Sequence, residues 1–147
     1  MGSGRVVVEA QLRPTEDEAK VMQAILNVFD PDEMEKIDMG DYTLIRASSS
    51  RLSSLSKLHR LLRVQEILEA ARAYMLKNVK GDRLTMLLHK QAALRGKVSL
   101  LTWDDESPLG PIKITIEFSG DIKDVIDWLA PPTAKGRPLW ERGEPDP

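Results

Sequence analysis

Seven polar side chains in the middle of this 147-residue chain have the types and spacing to hold an anion: Lys57, Arg60, Arg63, Lys90, Gln91, Arg95 and Lys97. The first three recur at every third position, which lines them along one edge of a helix. The other four crowd a short connection punctuated by Gly96. Lysine neutralises phosphate as a compact charge, arginine adds a planar fork that matches two phosphate oxygens, and glutamine can reach a base or sugar. These residues belong to a longer basic stretch. From Arg46 to Leu100 twelve lysines and arginines face only Glu66, Glu69 and Asp82. Residues 1–45 carry 4 basic and 10 acidic side chains and residues 101–147 carry 5 and 10, so a formal net charge of −2 conceals segregation along the chain. The implied chemistry is phosphate binding, with RNA as the polyanion. The competing reading is that these cations solvate helix faces and pair with the acidic flanks once the chain folds.

Other chemistries find less support. The absence of cysteine excludes disulfides, thiolate nucleophiles and zinc–thiolate sites. His59 and His89, the two histidines, have no ligand-type partner three or four residues on, so no metal site is expected. His59 reads as a solvated helix residue. His89, at a strand end, reads as a hydrogen-bonding filler, with acid–base work the alternative. Asp104-Asp105-Glu106 is suited either to magnesium or simply to water. The main-chain amides of 89–97 offer an anion cradle, although the Gly-rich spacing of a nucleotide loop is missing. Ser107 lies in no nucleophile motif. No enzyme signature and no cofactor motif emerges. Phe29 and Phe118 read as core, which leaves no stacking platform for single-stranded bases and favours shape and phosphate recognition of folded RNA.

The elements that must position these residues follow from periodicity. Arg5–Leu12 alternates as a strand closed by Pro14. Thr15 with Glu18 makes a capping-box start for a helix burying Met22, Ile25, Leu26 and Phe29. Strands near 33–38 and 42–48 flank the turn at Gly40-Asp41 as a hairpin. Ser48-Ser49-Ser50 supplies hydroxyl caps for the next helix. In that helix Leu55, Leu58, Leu61, Leu62 and Gln65 share one face, then Ile67, Leu68, Ala71, Tyr74 and Met75 share another. An unbroken stripe would bury Arg72, so the phase shift near Arg63–Glu66 predicts two helices or a kink. Leu84–His89 is a strand with both faces partly covered, the connection 90–96 is long enough for a helical turn, and a strand follows over 98–102. Asp104–Pro111 is a stiff loop, 112–118 alternates cleanly, and Asp121 caps a last helix burying Ile122, Val125, Ile126 and Leu129. The expected architecture is a single α+β domain over 5–132, with a mixed or antiparallel sheet of about five to six strands and helices packed on one face. Residues 133–147 read as a flexible tail, and Met1–Gly4 as a leader outside the fold. No apolar run reaches the roughly 18 residues of a membrane span and no signal pattern appears, so a cytoplasmic protein is expected.

The strings LHKQAALRGKVSLL (Leu88–Leu101), DDESPLGPIKITIE (Asp104–Glu117) and IDWLAP (Ile126–Pro131), with RPTEDEAKV (Arg13–Val21) and AILNVF (Ala24–Phe29) before them, resemble the archaeal uncharacterised-protein family numbered two hundred and one. The resemblance spans about residues 5–133. It implies a fold similar to the fifth protein of the large ribosomal subunit and, by that likeness, RNA binding without an established activity. His89 stands where the family's loop motif has asparagine. The leading expectation is therefore a non-catalytic RNA-binding protein contacting phosphates through the central basic helix and loop 89–97. A homo-oligomeric or protein-interaction adaptor stays open beside it, as does an enzyme on a phosphorylated small molecule using His89, Lys90 and Arg95.

Overall fold

Apolar residues at every second position build the sheet, and their register decides which face is buried. The structure is a computed structural model that describes residues 4–102 and 109–145. Its strands are Gly4–Leu12 (β1), Glu33–Asp38 (β2), Thr43–Ser49 (β3), Val79–Lys80 (β4), Arg83–His89 (β5), Leu100–Leu101 (β6) and Pro111–Phe118 (β7). They form one antiparallel sheet in the order β2-β3-β1-β7-β5-β4, with β6 also pairing β5. In β1, Val6, Val8 and Ala10 stand beside Ser49, Ala47 and Ile45 of β3 and Ile116, Ile114 and Ile112 of β7. Leu84, Met86 and Leu88 of β5 continue the same rows.

The helices gather on this apolar face: Glu18–Leu26 (α1), Ser56–Val64 (α2), Leu68–Lys77 (α3), Lys90–Leu94 (α4) and Ile122–Leu129 (α5). Phe29, Phe118, Ile25 and Leu58 are fully enclosed between the layers, each stabilising the fold by about 1.5–3 kcal/mol through lost apolar surface. The alternate residues point to the other face, where Arg5, Val7, Glu9, Lys113, Thr115 and Glu117 stay half-buried or exposed. Antiparallel sheets tolerate this one-sided arrangement. A small hairpin, Thr133–Ala134 (β8) with Arg137–Pro138 (β9), follows α5.

The stripe argument holds. α2 and α3 are separate helices, and Glu66 between them adopts φ 57°. The N–H of Ile67 donates to Leu62 O at 3.1 Å and that of Glu66 to Arg63 O at 3.0 Å, the paired bonds of a left-handed helix end. The phase shift frees Arg72 to donate to Asp127 at 2.8 Å and to Ala130 O at 3.0 Å.

Several expected details differ. The capping box at Thr15 does not form; Asp17 caps α1 by accepting the Ala19 N–H at 2.9 Å. Glu16 instead turns back to accept the Arg13 N–H at 2.9 Å. The serines do not cap α2, because a 3-10 turn over Leu52–Leu55 precedes it and neither start has a side-chain cap. Ser49 Oγ donates to Asp32 at 2.6 Å. The strand expected over 98–102 shrinks to Leu100–Leu101, because both main-chain groups of Val98 bond the side chain of Gln65. The segment for which the sequence offered only a tail carries the β8–β9 hairpin and ion pairs from Glu141 to Arg63 and Arg142 to Asp124. The acidic trio 104–106, Ser107 and the first residues of the leader lie outside the described residues.

Candidate nucleic-acid interface

Folding rearranges the charge segregation. Among the described residues, seven of the twelve cations between Arg46 and Leu100 find carboxylates, and each of those partners comes from the acidic flanks. Arg46 pairs with Glu9, Arg51 with Asp32, Lys57 with Asp30, Arg63 with Glu141, Arg72 with Asp127, Arg83 with Glu117 and Lys90 with Glu16. The seven anion-binding candidates consequently divide into different roles.

Lys90 does not join a surface. Its side chain is 5% exposed and its ammonium donates to Gln11 O at 2.7 Å, Leu109 O at 2.8 Å and Glu16 Oε2 at 3.0 Å. All three N–H directions are filled. Burial pushes its pKa down and the Glu16 carboxylate opposes that shift. Lys90 is a strut that ties the start of α4 to the end of β1 and to the segments that lead into α1 and β7. Beside it opens a cleft of about 270 Å³ walled by Val21, Ala24, Leu94 and Leu109, with Lys20 and exposed Gln91 at the rim.

Arg63 is likewise engaged. It grips Glu141 through Nε at 3.0 Å and Nη2 at 2.6 Å and caps the end of α5 by donating to Leu129 O at 3.0 Å and Trp128 O at 3.2 Å. The guanidinium holds the Glu141 carboxyl below its ordinary pKa. His59, expected in solvent, packs on Trp128 with ring centroids 5.3 Å apart. Burial, then the charge of Arg63, pushes its pKa down.

His89 caps α4: its Nδ1 accepts the Ala92 N–H at 3.2 Å, a bond that requires that nitrogen unprotonated. The amide cradle expected in loop 89–97 is not available at its C-terminal end. The N–H of Gly96 donates to Ala93 O at 2.9 Å, that of Lys97 to Ala92 O at 2.9 Å, and that of Val98 to Gln65 Oε1 at 2.6 Å. Gly96, at φ 75°, closes α4 in the same left-handed helix end that Glu66 makes for α2.

What remains is three exposed cations on α2 and on the segment that closes α4. Arg95 and Lys97 flank Gly96, both exposed, and Arg60 lies on the solvent ridge of α2 beside Val64. Among the described residues these three cations have no ion-pair partner. Two side-chain clamps bring their elements together. Gln65, at the end of α2, donates to Val98 O at 3.0 Å as well as accepting its N–H. Asn27, at the end of α1, donates to Ala93 O at 2.9 Å and Leu94 O at 3.1 Å. Lys57 also lies on α2, donating to Leu26 O at 2.7 Å and pairing with Asp30 at 3.0 Å. It is the one paired candidate whose side chain keeps substantial exposure, 40%. The two clamps are hydrogen bonds between distant segments, which no local pattern in the sequence announces.

No group of three or more metal-ligating side chains occurs among the described residues, and no described helix is long and apolar enough to cross a membrane.

Comparison with known proteins agrees with a nucleic-acid reading in outline. A family model described as RNA binding matches residues 5–118. A UPF0201 protein of Metallosphaera sedula is 50% identical over 142 residues, covering 97% of this chain and 98% of its own. One from Aeropyrum pernix is 50% identical over 143 residues, covering 97% and 95%. The crystal structure of a UPF0201 protein from Methanococcus jannaschii superposes with a TM-score of 0.81 at 32% identity, covering 92% of this chain and 98% of the other.

Proposed function

The chain belongs to the UPF0201 family, and from that premise we propose that it is a non-catalytic RNA-binding protein whose phosphate contacts come from Arg60, Arg95 and Lys97. Lys57 and Gln91 flank that contact surface. One observation carries the reading: these three cations are exposed and unpaired among the described residues, on segments clamped together by Gln65 and Asn27. A guanidinium without a carboxylate keeps its fork for phosphate. Exposed cations without carboxylate partners suit the backbone of a folded RNA, and sequence reading is not expected of them. Lys90 and Arg63 serve this surface only by holding its supports.

The test is binding of a folded RNA, followed by fluorescence anisotropy across a salt series. Three phosphate contacts predict an affinity loss of about fortyfold between 50 and 200 mM salt. Arg60→Glu/Arg95→Glu/Lys97→Glu should abolish measurable binding and leave the circular dichroism spectrum unchanged. A folded triple variant that binds as the parent does would remove these residues from the interface.

A further inference from the structure

The open face of the sheet is carpeted differently from the segments that bear the unpaired cations, and its pattern is regular. Along the central seam, where β1 meets β7, three residue pairs stand side by side on this face: Arg5 with Glu117, Val7 with Thr115, and Glu9 with Lys113. Each pair is complementary, a cation with an anion, a small neutral residue with another, an anion with a cation. The seam is central, with β3 and β2 on one side and β5 and β4 on the other.

We infer that this face docks on the same face of a second copy of the chain, through a two-fold axis running along the β1–β7 seam. Such an axis lays β1 of one copy over β7 of the other at the same height. Arg5 then faces the partner's Glu117, Val7 the partner's Thr115, and Glu9 the partner's Lys113, and each contact occurs twice, as an isologous interface requires. The small neutral pair at the centre permits the close approach of about 10 Å at which sheets stack. Further out the halves also differ in sign. Arg5 and Arg46 against Glu9, Glu33 and Glu35 leave the β2-β3-β1 half acidic, whereas Lys80, Arg83 and Lys113 against Glu117 leave the other half basic. The same axis sets acidic half on basic half. Interleaved carboxylates make the face a poor partner for a polyanion. Six neighbouring strands and roughly seven residues per strand give a plan area of about 600 Å², close to the roughly 800 Å² that each partner of a stable complex buries.

Sedimentation equilibrium on the full chain at micromolar concentrations should give twice the 16.5 kDa chain mass, falling towards one chain as salt rises. Glu9→Lys and Lys113→Glu singly should each weaken association by about tenfold or more, since each places like charges together at two symmetric sites. The double exchange Glu9→Lys/Lys113→Glu should restore it. Thr115→Glu, which introduces a charge at the seam, should leave a single-chain mass with an unchanged melting curve. A parent protein that sediments as one chain throughout, or a double exchange that fails to recover the parent's mass, overturns the inference. Loss of RNA binding in Thr115→Glu, with the parent a single chain, also overturns it and assigns the face to nucleic acid. RNA affinity of the Arg60/Arg95/Lys97 variant is read separately, so neither result substitutes for the other.

Discussion

Lys90 and Arg95 lie five positions apart on one short helix and its cap, carry the same charge, and have opposite fates. Lys90 is enclosed, with each ammonium hydrogen directed at an oxygen from a different segment. Arg95 stands in water with no carboxylate among the described residues to hold it. The difference is one of position on the fold. The start of α4 faces the place where β1 ends and α1 and β7 begin, and Arg95 past its last turn faces out. A cation in the first place stabilises the fold; one in the second forms no ion pair within the described residues. Charge along a sequence therefore overstates a binding surface wherever acidic segments fold back upon it.

The sharpest way to break this contrast is Lys90→Ala. It strands Glu16, 7% exposed, without its counter-charge and should destabilise the protein by about 3–5 kcal/mol in urea unfolding. Arg95→Ala should leave unfolding within about 0.5 kcal/mol of the parent and weaken RNA binding. If Lys90→Ala instead left stability unchanged and cut affinity, the division of labour would be reversed.

Arg63→Ala comes next. It removes a cap from α5 and a bidentate partner from Glu141, and an expected loss of about 1–3 kcal/mol should be accompanied by faster hydrogen exchange over residues 128–130. A smaller effect, of opposite sign, is predicted where the two left-handed helix ends differ. Gly96 meets φ 75° without strain, but Glu66 meets φ 57° with a β-carbon. Glu66→Gly should stabilise the protein by about 0.5–1 kcal/mol, measurable as a shifted denaturation midpoint. Gly96→Ala should destabilise it, although no atom lies within 4 Å of the added carbon.

The smallest effect concerns pH. Hydrogen bonds from Arg51 and then Ser49 lower the Asp32 pKa from 3.8 to about 2. A depressed folded-state pKa contributes stability that is present above 3.8 and fades as pH falls towards 2. Asp32→Asn should flatten the acid limb of the stability curve in that window and alter little at neutral pH. An unchanged acid limb would show that the pair is fully screened by water.

The architecture was readable because it rests on local periodicity. Alternation marked the strands, and the stripe that would have buried Arg72 located the break at Glu66. The site was readable only in part. Lys90 is 74 residues from Glu16, and Arg63 is 78 from Glu141; no window of sequence contains both members of such a pair. Thr15 and Asp17 both satisfy the rules for a helix cap, and the Glu18 that would close a box with Thr15 is instead held at 3.2 Å by Lys36, eighteen residues away. Gln65 did appear on the apolar stripe, and its polar head was the available hint that something across the core needed an amide.

Tyr74 lies in the apolar set of α3, yet its hydroxyl reaches the outer rim of the sheet. It accepts the Leu87 N–H at 2.9 Å and donates to Leu101 O at 2.7 Å. A phenol thus stands between the short strands β4 and β6 where a longer strand would otherwise leave a ladder of bare peptide groups. That rim offers no continuous template on which a stray chain can zip. The opposite rim, β2, achieves the same protection by electrostatic means, with Glu33, Glu35, Lys36 and Asp38 along its six residues. One border is plugged and the other bristles, so other molecules meet this protein by its broad surfaces and not by its margins.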